Sequence, residues 1–157
     1  MTGLVRAILK YAQFRLSSPG LGQILAEAAI DLAPTYLEEV TTEYDRRRQH
    51  LFARLSAIPK VTCYLPEGAF YLFAQLPIDN ADRFCQWLLE EFTHKNQTVM
   101  LSPGAGFYAT EGLGKQEIRI AYVLNCDDLN RAMDCLEVAL REYQDLRVDL
   151  QKEIQTG

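Results

Sequence analysis

Residues 61–76, with the sequence VTCYLPEGAFYLFAQL, decide the fold class of this chain. Two runs rich in β-branched, aromatic and large apolar residues, 61–65 and 69–76, flank the turn-forming residues 66–68, Pro-Glu-Gly. Such side chains pack well on a pleated surface, and proline followed closely by glycine favours a reversal of the chain. The stretch therefore predicts a β-hairpin.

Two further short strands are predicted downstream of the hairpin, over residues 98–101 and 117–124. Before them, residues 79–92 place their apolar side chains on one face at helical spacing, which predicts an amphipathic helix. A final helix is expected after Asn125, because Asn125 and Asp128 have the spacing of a capping box with aspartate in its third position. The C-terminal half therefore alternates between strands and helices.

Upstream of the hairpin, apolar residues at helical spacing predict three helices, over residues 2–16, 18–32 and 34–58. Pro19 and Pro34 favour the starts of the second and third helices. The order of elements indicates an α/β (α+β) fold, in which a small, mostly antiparallel sheet carries helices packed on one face. The first two helices have no evident place on such a sheet.

Composition argues against several classes of function. The net charge is −5 and the basic residues are scattered, so we expect no nucleic-acid-binding face. No apolar run approaches the length of a membrane span, and Arg6, Lys10 and Arg15 make the N-terminus too charged for a signal-peptide core. We therefore expect a cytoplasmic protein without a membrane partner.

Cysteine and histidine spacing argues against a metal site or a disulfide framework, because no close pairs occur. Buried free thiols are the expected state of the cysteines. The residues concerned are Cys63, Cys85, Cys126, Cys135, His50 and His94.

Arg119 is the most informative single residue, because apolar neighbours flank it within a predicted strand. Strand alternation places Arg119 and Ala121 on one face and the two flanking isoleucines on the other. A guanidinium in such a strand requires an anion. A structural ion pair with an aspartate or glutamate satisfies this need, and so does a ligand carboxylate, which suits its planar donors. The residues alone leave both interpretations open.

Two other segments have the appearance of sites. Gly68 and Ala69 precede Phe70 and Tyr71, which would let the backbone approach a ligand with one ring as a wall, although ordinary core packing explains the same pattern. Residues 104–109 match the dinucleotide pattern G-x-G-x-x-A, but loop residues follow where a phosphate-binding helix is needed. We therefore expect no nicotinamide or flavin. No nucleophile has a base beside it, so no catalytic residue is predicted in this chain.

Three segments, taken in order, resemble the class I and II aminotransferases, which depend on pyridoxal phosphate and include the aspartate aminotransferases. They are PEGAFY at 66–71, VMLSPGAGF at 99–107 and EIRIAY at 117–122. The resemblance covers nearly the whole chain before the charged tail. It implies that Arg119 binds the α-carboxylate of the substrate, and that Gly68 and Phe70 line the substrate side.

The resemblance also implies the domain organisation. Residues 1–33 resemble the end of the large cofactor-binding domain, residues 34–145 resemble the small C-terminal domain, and residues 146–157 form a charged tail that we expect to fray. The implied reaction moves an amino group between an amino acid, such as aspartate, and a 2-oxo acid. The family's cofactor-bonding lysine lies N-terminal to the matched region, so we expect this chain alone to be inactive and not to bond pyridoxal phosphate.

Three interpretations follow. The chain is part of an aminotransferase, or it is a standalone domain that binds amino acids or another protein without catalysis, or it is a purely structural α+β domain. Apolar stripes on the helices before Pro34 also predict a homo-oligomer, such as a dimer, when no large domain covers them.

Overall fold

The computed structural model describes residues 3–14 and 17–156, and within the last helix it describes side chains as far as residue 148. The chain forms two compact units, Met1–Val40 and Thr41–Gly157. The division falls within a helix, and the assignment of residues 1–33 to a large domain stays a prediction.

The first unit contains two helices, α1 over Gly3–Gln13 and α2 over Gly20–Ile30, and the start of α3, which covers Pro34–Ser56. All three predicted helices are therefore present. The predicted ends of the first helix at residues 2, 15 and 16 lie outside the described residues. Neither α1 nor α2 buries a residue, so their apolar side chains remain exposed.

The second unit is built on a four-stranded sheet in which every neighbouring pair is antiparallel and the strand order is β1-β2-β4-β3. The predicted hairpin is confirmed, since β1 and β2 pair directly. The strands are β1 (Thr62–Cys63), β2 (Tyr71–Gln75), β3 (Ser102–Pro103) and β4 (Glu117–Ala121).

The strand predicted over residues 98–101 is wrong, because the paired residues of that segment are Ser102 and Pro103. Thr98 donates its hydroxyl to the carbonyl of Leu88, and Val99 is buried, so this part of the chain packs on the fourth helix. Backbone pairing with β4 begins only at Ser102. The strand predicted over 117–124 is also shorter than expected and ends at Ala121.

Two helices flank these strands, α4 over Ala81–Glu90 and α5 over Cys126–Thr156. The predicted cap of the last helix is confirmed: the backbone N–H of Asp128 donates to the side chain of Asn125, with 2.9 Å between the atoms. The tail expected to fray after residue 145 is helical as far as Thr156. Residues 126–156 contain neither proline nor glycine, the two residues least favourable within a helix. Gln144, just before the predicted tail, also donates a hydrogen bond to the carbonyl of Pro77.

One face of the sheet carries the hydrophobic core. Leu72 and Ala74 of β2 and Ile118 and Ile120 of β4 are buried there against α3, α4 and α5. The opposite face is open, because the alternate residues of both strands are exposed or half-buried. The helices contribute the following buried residues: Leu51, Leu55, Phe84, Leu88, Leu129, Met133, Leu136 and Leu140.

Several expectations about metals, thiols and membranes concern the described residues. The described residues contain no group of three or more side chains suited to holding a metal ion, and none of the helices they form is long and apolar enough to cross a membrane. The four cysteines are free thiols, of which Cys85 and Cys135 are buried and the other two half-buried. Burial raises the pKa of the Cys85 thiol to about 11, which keeps it protonated near neutral pH.

Candidate functional site

The open face of the sheet carries Arg119 at its centre. In the antiparallel register Arg119 lies opposite Phe73 of β2 on one side and Ser102 of β3 on the other. Ile118 and Ile120 are buried on the core side. The alternation predicted for β4 is therefore confirmed, and the guanidinium lies on the face that the helices leave free.

Three aromatic rings, which we call the aromatic cluster, surround this position: Tyr71, Phe73 and Phe107. The Cζ atom of Arg119 lies 4.9 Å from the ring centroid of Tyr71 and 4.8 Å from that of Phe107. The ring of Phe73 meets both of the other rings edge-on, at centroid distances of 6.5 Å and 5.4 Å. Both rings near the guanidinium lie within the range of cation–π attraction.

No acidic side chain among the described residues pairs with Arg119, and no oxygen of the same residues accepts a hydrogen bond from its guanidinium. Glu117 shares the open face, but its carboxylate accepts a hydrogen bond from the hydroxyl of Tyr108. This bond raises the pKa of Tyr108 above its ordinary value. The described part of the chain therefore offers Arg119 no structural ion pair, which was one of the two sequence-based interpretations.

The glycine-rich loop brings Phe107 to this face. The N–H of Gly104 donates to the carbonyl of Glu117 at 2.7 Å, and a Cβ atom at Gly104 would lie only 2.8 Å from that oxygen. A single turn of 3-10 helix, Ala105–Phe107, follows. Residues 108–116 then form turns and loop, so the helix that a dinucleotide-binding fingerprint needs is missing from this fully described segment.

Gly68 and Phe70 lie before β2, away from the aromatic cluster. The carbonyl of Gly68 accepts a hydrogen bond from the hydroxyl of Tyr122, and the half-exposed ring of Phe70 packs on Tyr44 of α3 with 5.0 Å between centroids. Their place on the substrate side stays a prediction. Next to the guanidinium the structure places Tyr71 instead, one residue further along.

Sequence reasoning missed most of the aromatic cluster, although part of it carried a signal. Strand alternation separates Tyr71 and Phe73 from the buried Leu72, and the register of β2 with β4 then brings them beside Arg119. Phe107 had no such signal, because its position depends on the tight approach of Gly104 to β4 and on the 3-10 turn that follows.

The described lysines do not fit a site that bonds pyridoxal phosphate. Such a lysine needs a setting that shields its amine and holds the cofactor beside it. The described lysine side chains, Lys10, Lys60, Lys95 and Lys115, are all exposed. None of the lysine side chains that the structure describes therefore has such a setting.

Comparisons of this chain with known proteins give consistent results. Residues 2–136 match the family described as aminotransferase class I and II. The aspartate aminotransferase of Bacillus subtilis is 30% identical over 139 residues, which are 83% of this chain and 33% of that protein. That of Musicola paradisiaca is 32% identical over 113 residues, 68% of this chain and 26% of that protein.

Solved structures give the same result. The alanine aminotransferase of Pyrococcus furiosus is similar with a TM-score of 0.68 and 28% identity, over 87% of this chain and 34% of that one. The alpha-aminoadipate aminotransferase of Thermus thermophilus matches in fold, with a TM-score of 0.71 and 24% identity, over 91% of this chain and 36% of that one. The chain thus spans about a quarter to a third of the length of these relatives.

Proposed function

Because this chain belongs to the class I and II aminotransferases, we propose that Arg119 is its binding site for the carboxylate of an amino acid or a 2-oxo acid. The observation that carries this proposal is the guanidinium itself. It lies on the open face of the sheet, held beside two aromatic rings, and no described acidic group neutralises it.

The chemistry of the site favours a carboxylate over other ligands. A guanidinium presents parallel N–H donors that match the two oxygens of a carboxylate, and such charge-assisted bonds are among the stronger hydrogen bonds in proteins. The half-exposed rings of the aromatic cluster give the carbon chain of a small acid an apolar wall. The proposal that Gly68 and Phe70 line the substrate side rests on the family alone, because Phe70 packs on Tyr44 and the carbonyl of Gly68 bonds to Tyr122.

Replacing Arg119 with alanine should abolish binding of small carboxylates to this chain. Pyruvate, a simple 2-oxo acid, and L-aspartate are suitable probes, and methyl pyruvate is a control ligand without the carboxylate. We expect wild type to bind pyruvate with a dissociation constant on the order of millimolar, since only a few kcal/mol of contact is available. Isothermal titration would measure this.

The matched control for this experiment is Arg83→Ala, because Arg83 is an exposed arginine whose nearest carboxylate is 3.7 Å away. It should bind pyruvate as wild type does. Equal affinity of Arg119→Ala and wild type, or binding of the methyl ester as tight as that of pyruvate, would show that the carboxylate does not bind at Arg119.

For the complete enzyme we propose transfer of an amino group between an amino acid, such as aspartate, and a 2-oxo acid, in the cytoplasm, with pyridoxal phosphate as the electron sink. The named aspartate aminotransferases among the relatives support this substrate class. A standalone binding domain without catalysis is the second candidate, because the guanidinium and its rings all lie within this chain.

The 157 residues alone should neither transaminate nor bond the cofactor, because every described lysine side chain is exposed and none has a setting that would hold the cofactor. Mixing the chain with pyridoxal phosphate should leave the absorption spectrum equal to the sum of the two components, and no 2-oxo acid should form from aspartate. A shifted cofactor band that borohydride fixes to one lysine, together with turnover, would contradict this expectation.

We further propose that the chain self-associates through α1 and α2. These helices bury none of their residues, and large apolar side chains such as Leu4, Ile8, Leu21 and Leu25 are exposed on them. Sedimentation at tens of micromolar should show dimers or larger species. Ile8→Glu with Leu25→Glu should shift the distribution to monomer, whereas Leu65→Glu, on an exposed loop, should not. A monomeric wild type would contradict the proposal.

A further inference from the structure

Other arginines of the second unit are held by oxygen atoms. The guanidinium of Arg48 donates to Asp45 and to the carbonyl of Pro66, and that of Arg54 donates to Asn130 and Asp134. Each of these arginines uses its donors within the fold. Arg119 is held differently, since its described neighbours are the rings of the aromatic cluster.

We propose that Tyr71 and Phe107 are positioning residues, which hold the Arg119 guanidinium in place for a carboxylate without occupying its hydrogen-bond donors. This inference rests on the carboxylate-binding function proposed above. A ring face attracts the cation through its quadrupole, so it restrains the side chain and leaves the N–H groups and the net charge available. An acidic side chain would also restrain the arginine, but it would compete with the ligand carboxylate for the same N–H donors.

Restraint matters here because a free arginine side chain loses considerable rotamer freedom when it binds. Rings that already restrict those rotamers reduce the loss, which is the general advantage of a preorganised site. Phe73 supports the arrangement, because it contacts both rings edge-on and lies opposite Arg119 in the sheet.

The cluster also keeps Arg119 from a nearby acid. Glu117 lies two residues earlier on the same face of β4, where an unrestrained arginine could pair with it. Its carboxylate is engaged by the hydroxyl of Tyr108. Loss of a ring should therefore weaken ligand binding for two reasons. The arginine side chain becomes more mobile, and it can pair with Glu117.

The test compares aliphatic and aromatic replacements at each position. Phe107→Leu and Tyr71→Leu should each weaken pyruvate binding about fivefold, while Phe107→Tyr and Tyr71→Phe, which keep a ring face, should bind within about twofold of wild type. Tyr64→Leu is the control, because Tyr64 is an exposed aromatic residue outside the cluster. Adding Glu117→Gln to Phe107→Leu should recover part of the lost affinity.

A second readout needs no ligand. The Nε–Hε resonance of Arg119 should be shifted upfield by ring currents in the wild type and should return toward the position of exposed arginines in the two leucine variants. Leucine variants that bind as wild type would overturn the positioning role, and so would aromatic variants that lose as much affinity as the leucine variants. If wild type binds no pyruvate, both the carboxylate-binding function and this inference are wrong. If binding depends on Arg119 but the leucine variants bind as wild type does, only the positioning role is wrong.

Discussion

Phe84→Ala should destabilise the second unit by about 3–5 kcal/mol, the largest effect that we expect from a single substitution in this chain. Phe84 is fully buried on α4. Its ring packs against Tyr143 of α5 at 5.0 Å and stacks on Trp87 at 6.0 Å, so its removal leaves a cavity where two helices meet the sheet. Urea unfolding followed by the fluorescence of Trp87, the single tryptophan, measures the loss.

The matched substitution is Phe14→Ala, which removes the same side chain from a position that is 84% exposed. It should change the free energy of unfolding by less than about 0.5 kcal/mol. If the two variants are equally stable, the core does not lie on the helix-covered face of the sheet as described. A large loss at Phe14 alone would place the stabilising apolar contacts in the first unit, around the end of α1.

Gly114→Ala should cost about 2–5 kcal/mol and should also weaken carboxylate binding. Gly114 has a φ of 71°, a left-handed conformation that costs a residue with a Cβ atom about 1–2 kcal/mol. An added Cβ would also lie 2.7 Å from the ring of Tyr108, and overpacking of this kind costs about 1–3 kcal/mol. Displacement of Tyr108 would release Glu117, which then competes for Arg119.

Gly112→Ala separates the two causes, because Gly112 also has a positive φ, 91°, but a Cβ atom there would have open space around it. It should lose only the backbone contribution, about 1–2 kcal/mol, and keep the affinity for pyruvate. Chemical unfolding and titration of both variants provide the comparison. Equal effects of Gly112→Ala and Gly114→Ala on binding would argue against the role given to Tyr108.

The parts of the fold that follow from local chemistry could be predicted from the sequence. The hairpin follows from the turn residues 66–68, and the α5 cap follows from the spacing of Asn125 and Asp128. The position of β3 could not be predicted, because residues 98–101 have strand-like composition but make other contacts. Thr98 bonds to the carbonyl of Leu88 of α4, Val99 is buried, and strand pairing begins only at Ser102. Tertiary contacts outweigh local propensity there.

In the candidate site, too, local sequence patterns predicted some features, and others depend on tertiary contacts. Alternation along β4 was enough to place Arg119 on the open face and the isoleucines in the core. The rings that hold it come from β2 and from the turn after Gly104, so they depend on strand register and on a close backbone approach that no local pattern encodes. The helical tail beyond residue 145 was missed because its charged composition suggested fraying. In the structure Arg147 lies 3.8 Å from the carboxylate of Asp79, and Gln144, just before the tail, donates to the carbonyl of Pro77.

The most direct measurement of the central claim is the Nε–Hε resonance of Arg119 during a titration with pyruvate. The resonance is assigned by its absence from the spectrum of Arg119→Lys. We predict that it shifts and saturates with the same dissociation constant as the calorimetric titration, while methyl pyruvate leaves it in place and the resonances of other arginines stay unchanged. An unmoved Arg119 resonance at saturating pyruvate, or an equal shift of all arginines, would contradict the assignment of the carboxylate site to Arg119.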